Sequence, residues 1–206
     1  MKKNSKDPEV RKQELIDIAT KLFIEKGYGT VSVRDILDEV NGAQGMFYYY
    51  FKSKEDIYIQ AMEQYIDKML AEKSKVINDK NLNFIEKRTL LRKMIYENLK
   101  DYMRGFGPEG DTSIENTAYK VNYFIEMLNK LHLLISKFIM QGIEEGYLSN
   151  DMDINEKNVN KYSLFLVYGI WGVVYNGYFT NGKEKFNSEE LMPIIEKLFY
   201  NKNDLK

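Results

Sequence analysis

The chain offers few side chains that could carry out covalent or metal chemistry. Its 206 residues include one histidine, His132, and no cysteine. A Ser-His-Asp arrangement would have to use that histidine, and no serine motif accompanies it, so we expect His132 to be a partly buried structural residue. A zinc site built from several histidines or cysteines is excluded by composition. The sequence therefore predicts no catalytic residue, no metal and no cofactor.

An acidic segment, NDMDINE at 150–156, resembles the start of a calcium-binding loop because acidic and amide side chains alternate there. The position that should be glycine holds Glu156, and the position that should be a bidentate carboxylate holds Tyr162. Calcium binding is therefore disfavoured. We expect Asp153, together with Glu156, to cap a helix instead.

Composition and charge set broad limits on the function. The net charge is −1, so the whole molecule does not have the basic character of many nucleic-acid-binding proteins. Residues 1–54 are slightly basic, with ten Lys and Arg against eight Asp and Glu, which alone is too weak to indicate DNA binding. The lack of cysteine fits a reducing cytoplasm, where we expect the protein to act.

The spacing of apolar residues predicts an all-α chain, and only three prolines interrupt it. The first helix begins at Asp7-Pro8 and ends at Gly27, the second spans 32–40, and a short third begins at Gln44. Later helices are predicted after Ser53 to about 75, at roughly 82–105, and near 113–122, 123–145, 155–180 and 188–201.

The third of these helices lies in an unusually aromatic stretch, GAQGMFYYYF at 42–51. On a helical wheel, Phe47 and Phe51 fall on one side, with Tyr50 at its margin, while Tyr48 and Tyr49 fall on the other. The sequence therefore predicts a helix that packs with one side and exposes aromatic rings on the opposite side. Two tyrosines that merely cover a small domain are the alternative.

Local signals join the second and third helices into one motif. Ser32 and Asp35 have the spacing of a capping box, as do Ser53 and Asp56 at the start of the fourth helix. Asn41 can take the left-handed conformation that a tight turn needs. Two short helices joined by such a turn predict a helix-turn-helix, whose second helix would enter the major groove of DNA.

Residues 11–62 resemble the N-terminal domain of the TetR family of transcription regulators. The resemblance rests on EKGYGTVSVRDI at 25–36 and GMFYYYFKSKEDIY at 45–58, of which Y-x-Y-F-x-S-K is the most specific part. It implies that residues 1–54 form a helix-turn-helix DNA-binding domain, linked by the helix that starts near 54. Residues 55–206 would form a helical ligand-binding and dimerisation bundle, in which only the layout is similar.

The resemblance also implies which residues meet DNA. They lie in the second helix, in the third helix and at the start of the fourth. The predicted contacts are Ser32, Val33, Arg34, Gln44, Gly45, Met46, Tyr48, Tyr49 and Lys54. Lys54 would bind a phosphate at a helix N-terminus, which itself favours an anion.

The motif departs from the family pattern at its turn, where the usual Gly-Val-Ser is replaced by Asn41-Gly42-Ala43. Gly42 lacks an apolar packing group, and Ala43 lacks a capping hydroxyl that contributes about 1 kcal/mol. Met46 replaces a usual threonine, which weakens the expectation of a polar base contact there. The operator sequence cannot be transferred.

The C-terminal part is rich in aromatic and methionine side chains, which suit an adaptable apolar cavity as well as ordinary core packing. The candidates for a ligand pocket are Tyr96, Met103, Phe106, Tyr119, Tyr123, Met127, Phe165, Tyr168, Trp171 and Tyr175. No Arg or Lys lies within 162–182 to attract an anion. We therefore expect a small apolar or aromatic effector, and a cationic one is also compatible because aromatic rings attract cations.

The resemblance to the TetR family implies a homodimeric, ligand-responsive regulator, with repression as the expected output. The helices near 155–180 and 188–201 would pair with their mates, helped by Gly169, Gly172 and Gly177. A twofold dimer requires a palindromic operator, so the predicted partners are double-stranded DNA, a small-molecule effector and a second copy, but no membrane.

Two other classes of function remain as alternatives. A helical-bundle enzyme is disfavoured by the scarcity of histidine and cysteine. A membrane-associated protein is suggested by residues 162–182, which carry no charge over a length that could span a bilayer. A buried helix in a bundle or dimer core explains the same stretch.

Overall fold

The structure, a computed structural model, describes the backbone of residues 7–106 and 114–179. Side chains at 99, 103, 114–122 and 174–179 lie outside this description. The described residues form seven α-helices and no strand, which confirms the all-α prediction. The helices are Pro8–Lys26 (α1), Val33–Asp38 (α2), Gln44–Tyr50 (α3), Lys54–Asn78 (α4), Phe84–Phe106 (α5), Ile114–Glu144 (α6) and Val159–Phe179 (α7). A turn of 3-10 helix spans Tyr28–Thr30. The helix predicted near 188–201 lies outside the described residues.

Two predicted helix boundaries were wrong. The helices predicted at 113–122 and 123–145 are one continuous helix, α6, because no glycine or proline near residue 122 interrupts it. The last described helix, α7, begins at Val159 rather than near 155. Asp153 takes a positive φ of 49°, which is not a helical conformation.

Asparagines, rather than Asp153 and Glu156, organise the approach to α7. The backbone N–H of Lys157 donates to the side-chain oxygen of Asn155 at 3.0 Å. The side chains of Asn155 and Asn158 both donate to the backbone carbonyl of Asp153. The predicted capping role of Asp153 is therefore wrong, because its carbonyl and not its carboxylate is used.

The chain divides into two compact units, Met1–Lys68 with Asn98–Asn122, and Met69–Glu97 with Tyr123–Lys206. In the first, α1 to α3 pack on the beginning of α4 around buried Leu15, Phe23, Leu37, Phe47 and Met62. The end of α5 also belongs to this unit. The functional boundary predicted at residue 54 stays a prediction.

Rings join α1, α4 and the end of α5 within the first unit. Tyr58, on α4, lies 5.4 Å from Phe23 and 5.5 Å from Phe106 between ring centroids. Close to Phe106, a Cβ placed on Gly105 would lie 3.1 Å from the Cα of Ile24. Only a glycine lets α5 approach the backbone of α1 this closely.

The second unit has its own core, formed by Phe84, Ile139, Leu148, Ile154 and Val159. The beginning of α5 is tied to the end of α6 because the N–H of Phe84 donates to the carboxylate of Glu145 at 2.8 Å. This hydrogen bond is the main reason that the pKa of Glu145 lies below its usual value.

Candidate nucleic-acid interface

The second helix begins at the capping box that the sequence predicts. The hydroxyl oxygen of Ser32 accepts from the N–H of Asp35, and the N–H of Ser32 donates to the Asp35 carboxylate at 2.7 Å. The hydroxyl proton of Ser32 is also directed at that carboxylate, at 2.6 Å between oxygens. These bonds lower the pKa of Asp35. Because the only hydroxyl proton of Ser32 is directed at Asp35, its first role is to fix the start of α2.

The turn between α2 and α3 uses Asn41 for the left-handed conformation, with a φ of 50°. The N–H of Gly42 donates to the carbonyl of Leu37 at 2.8 Å, which closes the end of α2. Ala43 is the N-cap residue of α3 and provides no side-chain hydrogen bond, as the sequence predicts. The motif therefore keeps its turn without the usual capping hydroxyl.

The third helix has one buried side and one exposed side. Phe47 is fully buried and Phe51 nearly so, at 1% exposure, whereas Tyr48 and Tyr49 are 56% and 73% exposed. Tyr50, placed at the margin of the packed side, is half-buried. The helical-wheel prediction is thus confirmed. An exposed aromatic pair beside a firmly packed phenylalanine pair gives α3 a surface that a partner can contact.

The exposed tyrosine rings are held by neighbouring aromatic side chains. The Tyr48 ring meets Phe47 nearly edge-on, with centroids 5.4 Å apart, and Tyr49 meets Tyr50 in the same manner at 4.7 Å. A tyrosine side chain has only two χ angles, so it loses little conformational freedom when it contacts a partner. A contact made by Tyr48 or Tyr49 therefore costs less entropy than one made by a long flexible side chain.

Glycine and glutamine complete the exposed surface of α3. Gln44 and Gly45 are both exposed at its N-terminal end. A Cβ placed on Gly45 would meet nothing within 4 Å, so space within the chain does not require glycine there. A close approach by a partner's backbone is one reason for a helix to carry glycine at such a point.

Arg34 provides an exposed positive charge on α2. Its guanidinium lies 2.8 Å from the carboxylate of Asp38, and both side chains are largely exposed. Exposed ion pairs of this kind contribute at most about 1 kcal/mol. Arg34 can therefore exchange Asp38 for a phosphate at little cost.

Lys54, at the start of α4, makes contacts that the sequence did not reveal. Its ammonium donates to the carbonyl of Tyr28 at 2.6 Å and lies 4.0 Å from the centre of the Tyr28 ring. The hydroxyl of Tyr28 in turn donates to Glu55 at 2.9 Å. Tyr28 and Lys54 therefore tie the beginning of α4 to the end of α1. The phosphate contact of Lys54 stays a prediction.

The nine predicted DNA contacts differ in exposure. Three of them, Val33, Met46 and Lys54, are half-buried. The exposed ones are Ser32, Arg34, Gln44, Gly45, Tyr48 and Tyr49. Tyr28, which positions Lys54, was missed as a site residue, although it lies inside the matched segment EKGYGT.

The structure gives the exposure of several of the predicted ligand-pocket residues. Phe106 is 1% exposed and belongs to the core of the first unit, and Phe165 is 81% exposed. Their place in a ligand pocket stays a prediction. Tyr96 is also half exposed, and the side chains of Met103, Tyr119 and Tyr175 lie outside the described residues.

The remaining pocket candidates lie in the second unit, where α6 and α7 pack together. Trp171 stacks on Phe124 with centroids 3.6 Å apart, and the hydroxyl of Tyr168 donates to Asn129 at 3.2 Å. On α6, Met127 is buried and Tyr123 is half-buried. These aromatic contacts between α6 and α7 are the part of the predicted pocket set that the fold brings together.

His132 lies in the same helix pair, next to a buried serine hydroxyl. Its Nδ1 is 3.5 Å from the hydroxyl of Ser163, which shares a hydrogen bond of 2.6 Å with Ser136. Both serines are buried. In the described part of the chain, no three His, Asp or Glu side chains are grouped as the ligands of a metal ion would be.

Membrane crossing was the sequence alternative raised by the uncharged stretch at 162–182. Within residues 7–106 and 114–179, no helix combines the length and the apolar character that a bilayer crossing needs. Part of that stretch, 180–182, lies outside the described residues.

Comparison with known proteins shows that this sequence is similar to bacterial transcription regulators. Residues 15–61 match the family described as bacterial regulatory proteins, tetR family. The HTH-type transcriptional repressor KstR2 of Mycobacterium tuberculosis is 27% identical over 146 residues, which is 70% of this chain and 72% of KstR2. Residues 15–61, which match the family, contain α2, α3 and the beginning of α4. The exposed surface described above lies in these helices.

Solved structures support the same fold over nearly the whole chain. A transcriptional regulator from Cytophaga hutchinsonii has a TM-score of 0.71 at 15% identity, covering 95% of this chain and all of that one. FadR of Bacillus subtilis, solved with stearoyl-CoA, has a TM-score of 0.54 at 20% identity, covering 90% of this chain and 96% of FadR. The N-terminal motif and the helical C-terminal part therefore occur together in known proteins.

Proposed function

This chain belongs to the TetR family of bacterial regulatory proteins, and from that premise we propose how it binds DNA and what releases it. It is a ligand-responsive, DNA-binding transcription regulator. Its relative KstR2 is a repressor, which supports repression as the output here. It would act in the cytoplasm, where bacterial DNA lies, and without enzymatic activity.

The exposed aromatic pair on α3 is the observation that carries the DNA-binding mode. With Phe47 and Phe51 buried on one side, α3 can enter the major groove and present Gln44, Tyr48 and Tyr49 to it. Tyrosine rings offer apolar edges to thymine methyl groups and hydroxyls to phosphate oxygens. Arg34 on α2 adds a phosphate contact by leaving Asp38.

A second copy of the chain is the proposed occupant of the outer face of α7. Leu164, Phe165, Tyr168 and Val173 are exposed on this helix. Cβ atoms placed on Gly169 and Gly172 would meet nothing within 4 Å, so another helix could approach closely. A twofold dimer would place two copies of α3 about 34 Å apart, one DNA turn, on a palindromic operator.

The proposed effector is a small apolar or aromatic molecule bound in the second unit. The sequence also left a cationic ligand open, and a transcriptional regulator of similar fold from Saccharomonospora viridis was solved in complex with choline, which is a cation (TM-score 0.60, 14% identity). FadR, which has a similar fold, was solved in complex with stearoyl-CoA, a ligand with a long apolar chain, and this supports an apolar effector here.

Effector binding would reach the DNA-binding helices through α4 and α5, each of which contributes one end to each unit. In the first unit, α4 carries Lys54, and α5 ends at Gly105 and Phe106 against α1 and α4. A shift of either helix therefore moves the supports of α2 and α3. Coupling of this kind is typically about 1–3 kcal/mol, or roughly fivefold to 150-fold in DNA affinity.

The direct test is DNA binding by fluorescence anisotropy, using the DNA immediately upstream of this protein's own gene at two salt concentrations. We expect tight binding that weakens with salt by about 0.9 log unit per log unit for each phosphate neutralised. Tyr48→Ala and Tyr49→Ala should each weaken it. Tyr96→Ala, which removes an exposed tyrosine from α5, is the matched control.

A negative result at that DNA leads to selection from a random pool of duplexes. If the pool also yields no bound sequence, the DNA-binding proposal is wrong and the exposed tyrosines of α3 have another role. If binding occurs but does not change with salt, phosphate contacts do not contribute, and the proposed orientation of α2 and α3 fails.

A further inference from the structure

The space beside Gly42 is filled by a side chain from the next helix. A Cβ placed on Gly42 would lie 2.3 Å from the terminal methyl of Met46, 2.9 Å from a methyl of Leu37 and 3.2 Å from a methyl of Val40. Three side chains from α2, the turn and α3 therefore converge where residue 42 would carry its own. Carbon atoms essentially never approach a Cβ below 3.0 Å, so a side chain at 42 requires the flexible end of Met46 and a methyl of Leu37 to move aside.

The backbone does not explain why residue 42 is glycine. The left-handed conformation in this turn belongs to Asn41, and Gly42 is not among the residues with positive φ. An alanine could therefore adopt the backbone of Gly42 without strain. The space that a side chain at 42 would need is occupied, and the methyl end of Met46 is its nearest occupant.

The contact between Gly42 and Met46 also affects how α3 is held in place. This helix has seven residues, and its N-cap, Ala43, provides no side-chain hydrogen bond. Its first turn is closed by the N–H of Met46, which donates to the carbonyl of Ala43 at 2.9 Å. With so little local support, the orientation of α3 depends on the side chains that it packs against α2. Met46 is half-buried and directs its methyl end into that joint.

We propose that Met46 is a positioning residue that fills the space above Gly42 and fixes α3 against α2, rather than a residue whose side chain selects a base pair. This inference rests on the proposed DNA-binding role of α3. It predicts that base preference is set by exposed neighbours such as Gln44 and Tyr48, while Met46 sets how well α3 is presented to every sequence.

A double-mutant cycle with Gly42→Ala and Met46→Ala tests the pair. In the DNA-free protein, Met46→Ala should lower Tm by leaving a gap, and Gly42→Ala should lower it less, because the flexible end of Met46 can move aside. The double variant should be more stable than the sum of the two changes predicts, because the added methyl enters the vacated space. Gly45→Ala, next to Met46 but in open space, should leave Tm unchanged or raise it.

The same variants are then measured on the selected operator and on its single-base-pair variants. Met46→Ala should weaken binding by about twofold to tenfold for all of these duplexes, as expected for a loss of packing of modest energy, and should preserve their ranking. Gln44→Ala should change the ranking instead. The double variant should recover part of the affinity that Gly42→Ala loses.

Two results would overturn the inference. Additive Tm changes would show that Gly42 and Met46 are not coupled. A loss of preference at one base pair in Met46→Ala, with Tm unchanged, would show that Met46 reads that base pair directly. Failure of the unmodified protein to bind any duplex would refute the proposed function instead, and the Tm cycle would still decide whether Met46 supports α3.

Discussion

At the residue scale, Lys54 shows how a sequence motif can identify a residue without revealing its contacts. The motif that ends in S-K places Lys54 at the start of α4. The structure adds its hydrogen bond to the carbonyl of Tyr28 and its position over the Tyr28 ring. Those partners come from a segment 26 positions earlier, so no local pattern encodes them. A substitution of Lys54 would alter this support as well as any phosphate contact, so Tyr48 and Tyr49 are the cleaner probes of DNA binding.

Lys73 is the residue whose environment departs most from its ordinary chemistry. It is 3% exposed on α4, in line with the buried residues Leu70 and Ile77. Burial lowers its pKa from 10.5 to about 8. Below pH 8 the lysine is protonated in both the folded and unfolded chain, so the folded state bears the whole cost of the buried charge. Between about 8 and 10.5 the folded chain releases the proton first, and stability rises with pH.

We therefore expect Lys73→Met to increase the free energy of unfolding at neutral pH, by at most about 3 kcal/mol. This advantage over the unmodified protein should shrink as the pH rises from 8 toward 10.5. Urea unfolding at a series of pH values, at one protein concentration, measures it. Lys75→Met, which removes an exposed lysine from the same helix, should show no such dependence. A constant difference between Lys73→Met and the unmodified protein across this range would contradict the prediction.

At the element scale, the sequence predicted best where helix ends are encoded locally. Asp7, Pro8 and Gly27 fix the ends of α1, and the Ser32 capping box fixes the start of α2. The start of α7 depends instead on asparagine side chains that fold back on the Asp153 carbonyl, which no helix-capping pattern anticipates.

The exposed and buried sides of α3 followed from helical periodicity alone. The direction of Met46 did not, because it depends on the side chain that Gly42 lacks. The ligand-pocket set stays a prediction. Aromatic content cannot distinguish a ring such as Phe106, which is packed within the first unit, from one that lines a cavity.

The end of α5 gives a prediction at this scale. Phe106 is 1% exposed, and its ring centroid lies 5.5 Å from the ring centroids of both Tyr58 and Tyr65. Phe106→Ala should reduce the free energy of unfolding by about 3–5 kcal/mol, as expected for removal of a buried aromatic side chain. It should also weaken DNA binding in the absence of any effector, because it loosens the support of α1 and α4.

Tyr96→Ala, a truncation at a half-exposed position of the same helix, is the control for thermal and urea unfolding of this variant. It should change stability by no more than about 0.5 kcal/mol. If Phe106→Ala were as stable as this control and changed only the response to an effector, Phe106 would be a pocket residue after all.

At the scale of the whole molecule, the exposed face of α7 predicts the oligomeric state. Phe165→Glu would place a charge where we expect a second copy to pack, and a buried unpaired charge strongly opposes association. Light scattering at micromolar concentration should therefore show the mass of a dimer for the unmodified protein and of a monomer for the variant. Ile95→Glu, at an exposed apolar position of α5, should remain dimeric. A dimeric Phe165→Glu variant would place the interface elsewhere.

The turn between α2 and α3 also determines how the protein ages chemically. In an Asn-Gly pair, the glycine backbone nitrogen readily attacks the side-chain amide carbon of asparagine and expels ammonia, and water then opens the cyclic imide to aspartate or isoaspartate. Here the N–H of Gly42 is engaged with the carbonyl of Leu37 at 2.8 Å, and Met46 covers the glycine. Asn41 should therefore deamidate only while the turn is open. The rate at which isoaspartate accumulates at this position during storage would therefore measure how often the turn between α2 and α3 opens.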